Sequence, residues 1–265
     1  MQAITDQTNL PLAIAAARGT GATAIKIYAD LPASLVKSIT AEAHRQHLLV
    51  WSHAAVFPAL PSDVADAGVD VMSHACLLGY QLSDPPLVTN EDRTPVDAHK
   101  ASRPNAAVSA LLGSMRQHGA ILDATVHVYT SSPTASCSGE LSDYLAREAY
   151  QAGIPISAGT DDDPDWRDPD SALFSELAEL VNKVGMSPAE ALRSATVIGA
   201  QAAGQQADAG SIASGKLANL VVLEKDPLQD ITNLRSVFMV VKHGKRYARS
   251  EYKPVTVDEM KPYSE

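Results

Sequence analysis

Three short segments decide the fold: Ile25-Lys-Ile-Tyr28, Val50-Trp-Ser-His53 and Val71-Met-Ser-His74. Each is an apolar, β-prone run with a lysine or a histidine at or near its carboxyl end, and an amphipathic stretch typical of a helix separates each run from the next. Strands that alternate with helices predict a parallel sheet. In a (β/α) barrel, functional side chains converge at the carboxyl ends of the strands. The sequence therefore predicts that these side chains meet at one edge.

The same alternation continues to about residue 204 and gives five βα units. The predicted strands cover residues 25–29, 48–53, 69–74, 120–126 and a run that ends at Asp161. Helices are predicted at residues 33–46, 62–67, 105–118, 140–152, 171–184 and 188–203. Beyond Gly204, the apolar runs Leu220–Glu224 and Val237–Lys242, the second of which turns into Lys245–Ala248, predict a small β appendage. We therefore expect a partial barrel over residues 1–204, followed by a β segment and a tail over residues 205–265.

Composition limits the possible partners and compartments. The net charge of −10 argues against nucleic acid or an anionic membrane as a partner. No apolar run approaches the ~18 residues of a spanning helix, and no secretory signal follows Met1. Cys76 and Cys137 form no CxxC pair, so no disulfide framework is expected. A reducing cytoplasm is the expected location.

Several motifs together resemble one enzyme family. They are Ala-Ile-Lys26-Ile-Tyr-Ala-Asp, Trp-Ser-His53-Ala, Ser-His74-Ala, Ser-Ala-Gly-Thr-Asp161, the run from Met186 to Thr196, and Gly215-Lys-Leu-Ala-Asn-Leu-Val-Val-Leu223 with Asp226-Pro-Leu. From about residue 10 to 250, the chain resembles metal-dependent amidohydrolases of the imidazolonepropionase-like and prolidase-like branch. The resemblance implies a (β/α)₈ barrel with a small β-sandwich built from both ends of the chain.

The resemblance also implies a metal site. Lys26 matches the strand-4 lysine, which in that family becomes a carbamate between two metals, and His53 and His74 match the strand-5 and strand-6 ligands. Asp161 matches the strand-8 aspartate, which implies a catalytic role as general base and then general acid. Imidazole suits Zn²⁺ or a similar divalent ion, which is the expected cofactor. A single histidine at a strand end is more often structural, but two histidines in serial βα units, together with Lys26 and Asp161, are harder to explain as packing.

One other metal reading concerns the acidic run Asp161-Asp-Asp163-Pro-Asp165. The EF-hand calcium loop needs glycine at its sixth position and glutamate at its twelfth. Trp166 and Ala172 stand there instead, so this pattern argues against a calcium loop.

Part of the family pattern is missing. None of the eight histidines lies two residues from another, so the strand-1 His-x-His motif is absent, as are strands 1–3. The sequence therefore predicts an N-terminally truncated, incomplete barrel of strands 4–8 with open sheet edges. Open edges invite pairing, so we expect a homo-oligomer or association with an N-terminal fragment.

Two functions follow from these features. The first is a metal-dependent hydrolase of amide, lactam, ester or dipeptide bonds in small-molecule substrates. Tyr80, His127 and Tyr129 are the candidate substrate residues, and simple packing is the alternative for His127 and Tyr129. The second is a catalytically impaired remnant that serves as a subunit or ligand-binding module. The missing His-x-His favours the remnant, and the four retained strand-end residues favour the enzyme.

Overall fold

The computed structural model describes residues 2–85, 87–91, 94–101, 103–134, 137–162, 171–253 and 256. These residues contain a parallel sheet of five strands that lie side by side in chain order. The strands are β1 (Ala24–Ile27), β2 (Leu49–His53), β3 (Val71–Ser73), β4 (Ile121–Asp123) and β5 (Ile156–Ser157). The predicted parallel α/β architecture is confirmed.

Helices connect and follow the strands. They are α1 (Leu10–Gly19), α2 (Ala33–Arg45), α3 (Pro61–Asp66), α4 (Ala98–Ala101), α5 (Ala106–His118), α6 (Val126–Ser131), α7 (Gly139–Gln151), α8 (Ala172–Glu179), α9 (Pro188–Arg193) and α10 (Gly199–Ala202). Two π-helical turns, Leu180–Val184 and Ser194–Ile198, continue α8 and α9. Short 3₁₀ helices cover Ala75–Leu82, Ile231–Arg235 and Arg249–Glu251. None of the helices in the described ranges is long and apolar enough to cross a membrane.

Local sequence explains where the longer helices begin and end. In α2, Leu35, Val36 and Ile39 recur at helical spacing and are buried against the sheet. The side chain of Asn105 caps α5 by accepting a hydrogen bond from the Ala107 N–H. Gly119 ends that helix with a φ of 72°, a backbone conformation that glycine adopts without a Cβ penalty.

The two faces of the large sheet are covered differently. On the face toward α2, α3, α5 and α7, three side chains are fully buried, namely Val50, Met72 and Leu122. Burying each such side chain contributes roughly 1.5–3 kcal/mol to the free energy of folding. On the other face, Val71 and Ile121 form a separate cluster with Trp51, Ile198 and Ala202. The Trp51 Nε1–H donates a hydrogen bond of 3.1 Å to the Ala202 carbonyl. The helical residues 188–202, called the C-terminal helical segment, therefore cover this face of the strands.

A second sheet forms the predicted β appendage. Its antiparallel strands are β6 (Leu220–Leu223), β7 (Val237–Lys242) and β8 (Lys245–Ala248). Phe238, Val240 and Tyr247 are exposed. The division of the chain near residue 204 stays a prediction.

Several predicted boundaries were wrong. β5 ends at Ser157, four residues before Asp161, and Gly159 beyond it lies close to the Asp123 side chain. β4 ends at Asp123, and helix α6 begins where a strand to residue 126 and then a loop were expected. The 3₁₀ helix Ala75–Leu82 and α4 lie where neither a strand nor a helix was predicted. Residues Asp163 and Asp165 of the acidic run considered for calcium lie outside the described residues.

The two cysteines form a disulfide bond, so the expectation that they are not linked is corrected. Cys76 and Cys137 are 61 residues apart in sequence, and their Cα atoms lie 5.8 Å apart. The two cysteines meet because α7 packs against the 3₁₀ helix that contains Cys76, and Cys137 lies two residues before α7. Such pairing depends on tertiary packing, which cysteine spacing alone does not reveal.

Replacing both cysteines by alanine should lower the free energy of unfolding. Closing a loop of 61 residues corresponds to about 4 kcal/mol in the chain-entropy estimate. Urea unfolding without reductant, followed by circular dichroism, measures the loss, and reduced wild-type protein serves as the matched control. Oxidised wild type and the double variant unfolding at the same urea concentration would contradict this prediction.

Candidate active site

The two strand-end histidines lie side by side. His53 ends β2, His74 directly follows β3, and their ring centroids are 4.7 Å apart in an edge-to-face arrangement. Both residues are buried, with 8% and 4% of their surface exposed. His74 has a φ of 75°, which is uncommon for a residue with a side chain. The predicted convergence of the two imidazoles is observed.

Asp161 and Thr125 both face His74. The His74 Nδ1 lies 3.0 Å from the Thr125 Oγ1 and 3.8 Å from the Asp161 Oδ2. The Asp161 side chain is 60% exposed, so the carboxylate is open to solvent on one side. An exposed carboxylate beside a buried imidazole can exchange protons with water and with a bound molecule.

Lys26 reaches the same place from the edge strand β1. Its Nζ donates a hydrogen bond of 2.7 Å to the Ser73 Oγ and lies 5.7 Å from the Trp51 ring centroid. The residue as a whole is exposed, but the amine end is partly shielded from water. This desolvation lowers the pKa of Lys26, while the charges of Asp123 and Asp161 act to raise it. The structure therefore brings all four predicted site residues into one neighbourhood.

Asp123 is a site residue that sequence reasoning missed. It ends β4 opposite Ser73 and Ser157, and its Oδ1 accepts a 3.1 Å hydrogen bond from the Ser157 Oγ. Burial raises the pKa of the Asp123 carboxyl, and the Ser157 hydrogen bond and the Lys26 charge oppose that rise. A Cβ at position 159 would lie 2.1 Å from its Oδ1, so Gly159 is required there. The available signal was a carboxylate at the end of an apolar run.

Tyrosines border the histidines. The Tyr28 ring lies 4.3 Å from the His53 ring, and the Tyr129 ring lies 6.2 Å from the His74 ring. Tyr80 is 1% exposed, and its hydroxyl donates a hydrogen bond to the Thr94 carbonyl. This packing is that of a core residue. A substrate role for Tyr80 and Tyr129 stays a prediction.

A pair of glutamates on α8 faces α6. The buried Glu176 carboxylate accepts hydrogen bonds from the N–H groups of Val126 and His127, at 3.1 and 2.8 Å. The Glu179 Oε1 lies 2.7 Å from the His127 Nδ1. His127, which was predicted to face substrate, thus has one ring nitrogen directed toward α8. Its substrate role also stays a prediction.

The donor types fit a divalent metal, but the ligand set is partial. Imidazole and carboxylate are ligands that Zn²⁺ accepts, and His53, His74 and Asp161 offer both. Within the described ranges, however, no three His, Cys, Asp or Glu side chains are grouped closely enough to hold an ion. These residues therefore fit part of a metal site, which needs further ligands to be complete.

An open groove runs along β1 beside this site. It has a volume of about 800 Å³ and is lined by α1, by β1 and by residues 2–4 and 90–91. Because the Leu49 N–H bonds to the Thr23 carbonyl, alternation directs the backbone groups of Ala24 and Lys26 away from β2 and toward this groove. The groove thus presents strand backbone together with apolar side chains such as Ile25.

Comparison with known sequences matches this chain to one family profile and to individual enzymes. The profile of the family described as "Amidohydrolase family" matches residues 13–247. An imidazolonepropionase from Flavobacterium johnsoniae is 39% identical over 77 residues, which are 29% of this chain and 18% of that protein. An ochratoxinase from Aspergillus niger is 34% identical over 119 residues, which are 43% of this chain and 24% of that protein.

Solved structures share the fold. A putative prolidase from Bifidobacterium longum has a TM-score of 0.68 at 24% identity and covers 99% of this chain. Phenylurea hydrolase B has a TM-score of 0.69 at 21% identity and covers 94% of this chain. This chain spans 64% and 58% of those two chains. The likeness confirms the expected partial (β/α)-barrel fold.

Replacing Glu176 by glutamine should change how stability depends on pH. Burial raises the pKa of Glu176 from 4.5 to about 8, and the charges of Asp123 and Glu179 add to that rise against the two backbone hydrogen bonds. Between these values the folded state holds a proton that the unfolded chain releases, so this group's contribution to stability falls as pH rises through that window.

The measurement is urea unfolding of wild type and Glu176→Gln at about pH 5 and about pH 8. We expect the stability difference to shift in favour of the variant at the higher pH. The neighbouring groups Asp123, His127, Asp143 and Glu179 are present in both proteins and serve as the internal control. A difference that does not change with pH would contradict the prediction.

Proposed function

Because the chain belongs to the amidohydrolase family, we propose that it is a metal-dependent hydrolase acting on amide, lactam, ester or dipeptide bonds of small molecules. The supporting observation is the convergence of Lys26, His53, His74 and Asp161 at the carboxyl edge of the parallel sheet. The proposal concerns this chain's share of the activity, since the solved structures that resemble it have longer chains.

The proposed roles follow from chemistry and exposure. His53, His74, Asp161 and Lys26 would hold the ion, which we propose to be Zn²⁺ or a similar divalent metal. Such an ion, when bound, would supply Lewis acidity and lower the pKa of water to about 7. Asp161, the exposed carboxylate of the group, accepts a proton from the attacking water and returns it to the leaving group. Thr125 orients the His74 ring through its Nδ1.

Lys26 carries a separate proposal. The carbamate implied by the family resemblance requires a neutral amine, which partial burial favours and the nearby carboxylates disfavour. Ser73 holds the amine in place in either state. Tyr80, His127 and Tyr129 remain the proposed substrate residues, and the position of Tyr129 beside His74 gives it the strongest support of the three.

A second candidate function is a ligand-binding or subunit role without catalysis. The observation that favours it is the partial ligand set, because the described residues contain no close group of three His, Cys, Asp or Glu side chains. In this case the same residues would bind a small molecule or an ion without turning it over.

We also propose that another polypeptide covers the edge of β1, either a second copy of this chain or a separate N-terminal fragment. The groove and the outward backbone groups of Ala24 and Lys26 support this, because an uncovered strand edge is prone to pairing.

The cellular compartment of this protein is a further proposal. The cytoplasmic location expected from the sequence stays a prediction. Disulfide bonds persist mainly in oxidising compartments, so the Cys76–Cys137 bond weighs against it.

Replacing either strand-end histidine by alanine should remove metal and activity together. We expect His53→Ala and His74→Ala to lower metal affinity by at least about 10-fold, since even residues outside the coordination sphere have effects of this size. Zinc content after dialysis is measured by plasma mass spectrometry, and hydrolysis is followed with p-nitrophenyl esters and anilides. His99→Ala, an exposed histidine on α4, is the matched control.

The outcomes separate the two candidate functions. Hydrolysis that is lost with the metal in both variants, but kept in His99→Ala, supports the enzyme. Equal hydrolysis by wild type and His53→Ala would overturn it. Zinc binding by wild type without any hydrolysis would favour the non-catalytic role.

Edge pairing is tested by Ala24→Pro. Proline at this position removes an N–H group that faces the groove and leaves the β1–β2 hydrogen bonds intact. We expect light scattering to show a wild-type mass above that of one chain and a smaller mass for Ala24→Pro. Val221→Ser, on the separate small sheet, is the control. A monomeric wild type would contradict pairing between copies, and failure to bind an added N-terminal fragment would then contradict the other form.

A further inference from the structure

The carboxylates of Glu176 and Glu179 are both used on the short helix α6. Glu176 accepts from the backbone N–H groups of Val126 and His127 through separate oxygens. Glu179 lies 2.7 Å from the His127 Nδ1 and accepts a 2.9 Å hydrogen bond from the Thr130 hydroxyl. All four carboxylate oxygens of this pair therefore contact α6, and we call the pair the α8 clamp.

Helix α6 needs such support. It has six residues, and Thr125 before it has a φ of 48° and no capping side-chain hydrogen bond. The first amides of a helix have no partner within the helix, and so short a helix is not stable alone. Glu176, fifty residues away in sequence, accepts hydrogen bonds from two of these amides.

The start of α6 borders the candidate active site. Thr125 places its Oγ1 3.0 Å from the His74 Nδ1. Tyr129, on α6, holds its ring nearly perpendicular to the His74 ring at 6.2 Å. Any shift of α6 relative to β3 therefore changes what surrounds His74.

We propose that Glu176 and Glu179 are positioning residues that hold α6 so that Thr125 and Tyr129 stand against His74. His127 then serves the clamp through its Nδ1. Only the importance of this placement for hydrolysis rests on the proposed function; the placement itself rests on the contacts above.

The electrostatic cost of burying Glu176 indicates that the α8 clamp does more than fill space. Glu176 is fully buried, and Asp123 and Glu179 lie near enough to disfavour its charge. A buried carboxyl is costly unless its hydrogen bonds are specific, and an apolar side chain would fill the same space at lower cost. The Glu176 carboxyl instead occupies this space, and its two oxygens accept hydrogen bonds from the α6 amides.

The first test is hydrogen exchange of the α6 amides, resolved by peptide mass spectrometry. Glu179→Leu and Glu176→Leu should speed exchange in residues 126–131 by about 10-fold, the factor expected when a buried hydrogen bond that holds a helix is lost. Exchange in β2, β3 and β4 should not change. Glu179→Gln retains one acceptor and should restore much of the protection, and Glu224→Leu, an exposed glutamate, is the control. Unchanged α6 exchange in both leucine variants would overturn the clamp.

The second test reads position at His74 without relying on activity. Histidine ring signals are recorded by NMR at fixed pH, where the Tyr129 ring contributes a ring-current shift. Glu179→Leu should move the His74 signals in the same direction as Tyr129→Leu, leave the His99 signals in place, and be reversed by Glu179→Gln. His74 signals that stay at their wild-type values while α6 exchange increases would overturn the positioning role. If the wild-type protein bound no metal or showed no hydrolysis, that result would contradict the proposed function but not the positioning role.

Discussion

The in-register parallel pairing of β2 to β5 is the constraint on which this molecule depends. It sets His53, Ser73, Asp123 and Ser157 opposite one another in a single row across the sheet. Opposite residues of paired strands point to the same face, so four polar side chains from four distant segments become neighbours. A shift of one residue in any strand would turn its member of the row to the other face. The candidate site is thus a consequence of register before it is a matter of individual side chains.

Beneath this row lies an apolar layer that sets the electrostatic environment of the polar side chains. Trp51, Val71 and Ile121 occupy the preceding inward positions and are covered by Ile198 and Ala202. Water is excluded from that side, so charges in the row above interact more strongly than in solvent. The charged form of Asp123 is consequently favoured by the Ser157 hydrogen bond and the Lys26 charge, whereas Asp161, on the solvent side, remains exposed. The C-terminal helical segment therefore contributes to the site although its own side chains do not enter the polar row.

The sequence was informative where periodicity carries the structure, and uninformative where distant partners do. Alternating strand and helix patterns predicted the parallel order and the convergence of His53 and His74. Helix α6 escaped prediction because its stability comes from Glu176, which lies fifty residues later. The Cys76–Cys137 bond and the burial of Asp123 escaped for the same reason, since each depends on packing between segments far apart in the chain. Strand ends were also misjudged where a positive φ, as at His74 directly after β3, ends the extended backbone.

The partial ligand set and the open edge of β1 are two aspects of one geometry. Lys26 lies on the edge strand itself, and its backbone groups and exposed stem both border the groove. A polypeptide seated there would satisfy the outward amide groups and exclude water from Lys26 and Tyr28. Losing that water strengthens every charge interaction in the row, including those of Lys26 with Asp123 and Asp161. Covering the edge is therefore coupled to the chemistry of the site, because the same strand supplies both the backbone groups that face away from β2 and the amine.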